Sequence, residues 1–154
     1  MSILESKGLV KRFGATTALD GVTFAIEPGR IVGLLGPNGS GKTTLIKLAA
    51  GLLAPTAGEI LVAGHTPGPE TKALVSYLPE RTYLPDWMTA RQVIGFFADF
   101  YTDFDSAAAF DMLQRLGVLA DAKLKTLSKG TKEKVQLILV MSRRAQLYLL
   151  DEPI

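Results

Sequence analysis

The chain has 154 residues, 47% of them hydrophobic, and a net charge of only +2. That charge argues against a non-specific nucleic-acid binder, and the absence of cysteine excludes disulfides, thiol catalysis and zinc–thiolate sites. No apolar run approaches the ~20 residues of a membrane span, so the mean hydropathy of +0.23 points to a buried parallel sheet plus some surface meant for a partner. Length predicts one domain over 1–154 with a real core. Met1 to Lys7 lacks the apolar core of a secretion signal, which points to the cytoplasm.

Residues 3–35 hold short β-like runs separated by turns. Gly14 lies between the runs around Val10 and Leu19, and Val22, Phe24 and Ile26 alternate as in a half-exposed antiparallel strand. Glu27-Pro28-Gly29 is a turn signal. Ile31 to Leu35 then reads as a buried strand, and Leu45 to Ala50 as a helix that Gly51 can end. After the turn Pro55 to Gly58, Glu59 to Gly64 is a short strand, His65 to Glu70 a loop, and Ala73 to Leu78 leads into Pro79-Glu80.

From Thr89 the pattern turns helical. Val93, Phe96, Phe97, Phe100 and Tyr101 recur at helical spacing, as helical core or a docking surface rather than a cofactor box. Asp103 to Ser106 restarts the chain into a second helix ending at Gly117, and a third runs from near Gly130 to Arg144. Gln146 to Leu150 is an apolar strand of the parallel-sheet kind, ending in Asp151-Glu152.

Between the first apolar run and its helix stands Gly36-Pro37-Asn38-Gly39-Ser40-Gly41-Lys42-Thr43-Thr44. Strand, glycine loop and helix are the context a G-x-x-x-x-G-K-[ST] match requires. The glycines let successive N–H groups converge on a phosphate, and the helix N-terminus adds its dipole. Lys42 is expected to reach the β- and γ-phosphates, and the Thr43 hydroxyl to ligate Mg²⁺. Asp151-Glu152 at the end of an apolar strand then reads as a Walker B pair. Asp151 is expected to hold the metal and Glu152 to orient or deprotonate the attacking water.

Leu127-Ser128-Lys129-Gly130-Thr131, opening the helix before the Asp151 strand, makes the whole chain resemble the nucleotide-binding subunit of ABC transporters. The resemblance implies an α/β P-loop NTPase fold with an antiparallel β-subdomain and a helical subdomain over 80–130. It puts Phe13 on the adenine and Ser128 and Gly130 in a signature motif that closes over the γ-phosphate held by a second subunit. Glu80 falls where the Q-loop glutamine usually sits, as a ligand of the nucleotide's Mg²⁺. A carboxylate there still coordinates but cannot donate as Gln does.

Lys129 and Thr131 also depart from the commonest signature, and the cluster Lys129, Lys132 and Lys134 reads equally as an exposed basic helix start. His65 is expected to be an ordinary loop residue. The LSKG form looks most like bacterial exporters of the ABC-2 type. The implied function is ATP binding and hydrolysis with Lys42 and Glu152 as catalytic groups and ATP and Mg²⁺ bound. The implied partners are a second nucleotide-binding subunit, the same or different, and membrane-spanning subunits at the inner face of the cell membrane, with no direct nucleic acid. The alternatives are an ABC-like ATP-dependent clamp on a soluble or nucleic-acid partner, or a non-hydrolysing nucleotide-binding fragment. The family pattern continues past Asp-Glu-Pro, so the chain is expected to be an incomplete domain, missing the C-terminal part of the core and inactive alone.

Overall fold

A computed structural model describes residues 1–151, which divide into two compact units, Met1–Val75 and the chain from Ser76 on. The first is organised by β1 (Leu4–Phe13), which pairs antiparallel with both β2 (Thr16–Ile26) and β3 (Ala57–Val62) in the order β2-β1-β3. The register runs from Leu4 opposite Ile26 and Val62 to Phe13 opposite Thr16. Side chains on a strand alternate faces. Leu4 and Leu9 of β1 are five apart, and the register shift between Ser6 and Leu9 interrupts the alternation between them; both are buried, as are Leu19, Ile60 and Val62 of the sheet and Leu48 and Ala49 of α1 (Lys42–Ala49). Gly58 is a packing requirement, since a Cβ there would lie 2.1 Å from the Gly8 carbonyl oxygen.

The expected strand over Ile31–Leu35 is not formed. These residues are irregular and open to solvent, with Ile31 and Leu35 more than nine-tenths exposed. A run of apolar residues is a strand only where neighbouring backbones take up its N–H and C=O groups. Among the described residues none pairs with this one. The stretch read as loop after His65 ends instead in a single turn, α2 (Pro69–Lys72). Its Thr71 hydroxyl accepts from the Gly68 amide at 2.8 Å. His65 itself serves through its backbone, exchanging hydrogen bonds with Val62 at 2.8 and 2.9 Å across the Ala63-Gly64 turn.

The second unit opens with β4 (Val75–Leu78), which is sheet partner to β5 (Leu147–Leu150). Between them lie α3 (Ala90–Phe100), α4 (Ser106–Arg115) and α5 (Lys129–Met141). Each helix starts where a side chain can accept from orphan amides. Thr89 Oγ1 accepts from Gln92, Asp105 Oδ1 from Ala108 and Ser128 Oγ from Thr131. The Ala108 amide, with Arg144 alongside, holds the Asp105 carboxyl below its ordinary value. The helical stripes converge on a core of Val93, Ile94, Leu113, Leu124, Val135, Ile138 and Leu139. Each such side chain, essentially sealed from water, contributes about 1.5–3 kcal/mol of transfer free energy.

The aromatic stripe divides. Val93 and Phe97 face this core, while Phe96 and Phe100 stack on one another with centroids 6.3 Å apart and stay exposed at 59% and 70%. The third helix stops at Met141, short of Arg144, because Arg143 turns inward. Its guanidinium is bidentate to Asp103, at 3.0 and 3.1 Å, and lies 4.0 Å over the Tyr101 ring.

Candidate functional site

In the first unit the chemistry gathers at the start of α1. The helix is capped by Gly41 in the left-handed region, φ +96°, with no side-chain acceptor for the first-turn amides. Gly39, two residues earlier, has φ +83°. A side chain at Gly41 is impossible, because its Cβ would sit 2.6 Å from the Ala18 carbonyl oxygen on β2. This close approach anchors the end of the loop to the sheet. The loop before it, Gly36–Ser40, is exposed, with a turn closed by Ser40 N–H to Pro37 O at 3.2 Å. Lys42 folds back so that its ammonium donates to the Gly36 carbonyl. Thr43 and Thr44 lie half-buried in the first turn. A helix N-terminus whose amides have no side-chain cap, flanked by a lysine, is chemically matched to a phosphate.

Phe13 sits at the end of β1, 48% exposed, with the Lys11 ammonium 5.2 Å from its ring centroid. The ring therefore presents a face outside the core.

In the second unit Asp151 follows β5 directly, and its amide donates to Leu78 O at 3.0 Å. Its carboxylate is 3% exposed, and Oδ2 has no hydrogen-bond donor among the described residues. A buried ionised oxygen without a donor is costly, and a cation is the partner that such a group fits. No cluster of three or more His, Asp or Glu side chains gathers among the described residues. A single carboxylate is enough for Mg²⁺, which is held by one or two protein oxygens together with phosphates and water. Tyr77, on β4, is the neighbour the sequence reading missed. Burial, then the charge of Asp151, push its hydroxyl above the ordinary value, so it stays neutral there. Glu152 lies outside the described residues.

The position of β5 is fixed at its start as well. The Tyr148 hydroxyl donates to the Arg143 carbonyl and accepts from the Ala145 amide at 3.2 Å, bridging the turn out of α5.

Ser128 is the exposed N-cap of α5, its Oγ accepting from the Thr131 amide at 3.1 Å and 2.8 Å from the Thr131 hydroxyl. Gly130 follows in the first turn with open space around it. The basic cluster is not uniformly free, since Lys132 pairs with Asp86 at 3.1 Å, while Lys129 and Lys134 are exposed. Glu80 is exposed on the loop leaving β4. That loop is tied to α5 by Gln136, whose Nε2 donates to Arg81 O at 3.2 Å. The sequence signal for Gln136 is a lone polar residue among Val135, Ile138, Leu139 and Val140, the buried face of α5. Among the described residues no helix is long and apolar enough to cross a membrane.

Comparison with known proteins identifies the family. The family described as "ABC transporter" matches residues 19–154. The chain is 33% identical to the ABC transporter ATP-binding protein YtrB of Bacillus subtilis, covering 98% of this chain and 52% of that protein. It is 34% identical to the zinc import ATP-binding protein ZnuC of Pseudomonas putida, covering 92% of this chain and 52% of the relative. A solved putative ABC transporter ATP-binding protein from Pyrococcus furiosus superposes with a TM-score of 0.84 at 34% identity, over 98% of this chain and 76% of that one. The solved structure of an ATP-binding subunit of an ABC transporter gives 0.86 at 32%, over 99% and 67%. The chain spans about half the length of the curated relatives it matches. A glycine loop opening a helix, an aspartate closing an apolar strand, a serine-capped helix before that strand and a match over nearly the whole sequence lead to one assignment: the chain belongs to the ABC transporter family, on the side of its ATP-binding proteins, with the α/β P-loop fold of their ATPase domains.

Proposed function

We propose that this chain is part of the ATP-binding and ATP-hydrolysing subunit of an ABC transporter, acting with a second such subunit and with membrane-spanning partners. The observation that carries the reading is the start of α1, where first-turn amides without a side-chain cap, the Lys42 ammonium and the half-buried Thr43 follow an exposed glycine loop. Lys42 would exchange its Gly36 carbonyl for the β- and γ-phosphate oxygens, gaining a charge-assisted bond. Thr43 and Asp151 are the residues that would hold Mg²⁺, with Glu80 as a further oxygen ligand. The metal, when bound, supplies positive charge against the phosphates. Phe13 offers a ring face for adenine.

Glu152 would take the proton of the attacking water, and Ser128 with the Gly130 amide would meet the γ-phosphate held by the second subunit. The helical subdomain over 80–130 would carry that signature. Relatives named for zinc import and for linearmycin resistance both match; the LSKG signature favours export here. Attachment to the inner face of the cell membrane would come through the partners.

The test is nucleotide binding by the complete subunit. Lys42→Ala removes a charge-assisted contact of about 1.5–3 kcal/mol, which corresponds to a loss in ATP affinity of roughly ten- to a hundredfold. Titration calorimetry with an unchanged Kd for that variant would overturn the assignment of the loop.

A further inference from the structure

Gln136 has a chemistry that the reading above leaves unused. It is 7% exposed, on the buried side of α5, eight residues after the signature Ser128. Its side-chain amide points at the loop that leaves β4. Because a carbonyl only accepts, the nitrogen must face Arg81 O, which it does at 3.2 Å. Oε1 is then buried with no donor among the described residues, and a small pocket beside the side chain is lined by Leu78 to Thr82, Glu133 and Gln136 itself. The pocket's volume of about 30 Å³ admits a water-sized group and excludes a nucleotide, so it is not a further ligand site.

A second tie lies on the same face of the helix. Lys132, one turn before Gln136, reaches Asp86 at 3.1 Å, and residues four apart on a helix stand one above the other. The far end of the segment is held by backbone as well. Leu124 and Lys125 donate to Met88 O and Asp86 O at 2.9 and 3.0 Å. The segment from Pro79 to Met88 therefore runs along α5 with its Asp86 end fixed by several bonds and its Glu80 end fixed by Gln136.

We infer that Gln136 is a positioning residue, which sets where Glu80 stands relative to Ser128 by locking the Glu80 loop onto the signature helix. An amide suits this task where a purely apolar residue would not. One end holds the Arg81 carbonyl, and the free Oε1 can accept a backbone amide of the same loop if the loop advances by a residue. The inference rests on the proposed roles of Glu80 and Ser128 in the ATP cycle.

The experiment uses the complete subunit assembled with its membrane partners. Gln136→Leu keeps the volume and removes both hydrogen-bonding ends. A single intramolecular hydrogen bond is a small part of the fold, so the expected result is a kcat lowered about five- to tenfold, with KM for ATP within about twofold. In the Gln136→Leu, Glu80→Ala double variant, kcat should fall no further than in Glu80→Ala alone, because both changes act through one loop. Should the leucine variant not fold, Gln136→Met, unbranched and of similar size, is measured in its place. An unchanged kcat in the Gln136 variant, or additive effects in the double variant, overturns the positioning role while leaving the site reading intact. Glu80→Ala with undiminished turnover overturns both.

Discussion

Replacing Asp103 by alanine should loosen the second unit more than any other single exposed-end change, and the size can be worked from its partner. Arg143 has a side chain only 5% exposed and Asp103 one of 24%. The guanidinium donates a pair of hydrogen bonds to the carboxylate and is stacked on Tyr101. Removing one partner of a buried ion pair costs about 3–5 kcal/mol, and the guanidinium keeps its contact with Tyr101. Water reaches the aspartate side, so the lower end, about 3 kcal/mol, is expected. The backbone around the pair would lose its support too, since Asp105 donates to Ser142 O at 2.8 Å and Arg144 to Asp103 O at 3.0 Å.

Native-state hydrogen exchange on the complete subunit reads this locally. Amides of α4 and α5 should lose protection by roughly a hundredfold in Asp103→Ala, since each 1.4 kcal/mol is about a factor of ten. The informative companion is the double variant Asp103→Leu, Arg143→Met. It buries no charge, and apolar replacement of a buried pair is often neutral, so most of the protection should return. Unchanged protection in Asp103→Ala, or a double variant no better protected than the single, would refute the idea that the ion pair clamps these helices.

Two further outcomes follow from the same residues. Phe13→Ala should leave the melting temperature nearly unchanged, because the ring is half-exposed, yet weaken ATP binding by the 1–3 kcal/mol that a base gains on an aromatic ring, about five- to a hundredfold. An ATP Kd equal to wild type would remove Phe13 from the site. Glu152→Gln keeps shape but not basicity, so in the complete subunit it should accumulate an ATP-bound dimer visible by size exclusion. A variant that stays monomeric in excess ATP and still hydrolyses it would count against the two-subunit arrangement.

Local chemistry was the legible part of the sequence. The turn at Gly14, the helix starts near Thr89 and Ser106 and the glycine loop into α1 are all decided within a few residues, so residue types announce them. Helix starts fell within a few residues of expectation for the same reason. Ile31–Leu35 was read as a buried strand because its composition fits one, but a strand is a relation to neighbouring backbones. Composition cannot report that none among the described residues stands beside it. The third helix reads in sequence as far as Arg144, but Arg143 turns inward on Asp103, 40 residues away. Gln136 was hidden likewise, since its partner is a backbone carbonyl 55 residues off, which leaves no trace in residue types. The proposed catalytic base, Glu152, is known from its place in the motif and lies outside the described residues.

The Tyr148 hydroxyl acts as a gauge for the strand that carries Asp151. A strand can slip along its neighbour by one residue, and such a slip turns every side chain to the opposite face. Here the slip is blocked at both ends. At the start, Tyr148 can meet the Arg143 carbonyl and Ala145 amide from one face only. At the finish, the Asp151 amide is spent on Leu78 O. Only Leu149 and Leu150 separate the two fixings, so the carboxylate is located by counting along the backbone rather than by side-chain packing, which only half-covers this strand. Insertions or deletions between Ala145 and Asp151 should therefore be far less tolerable than changes of side chain at Leu147 or Leu150.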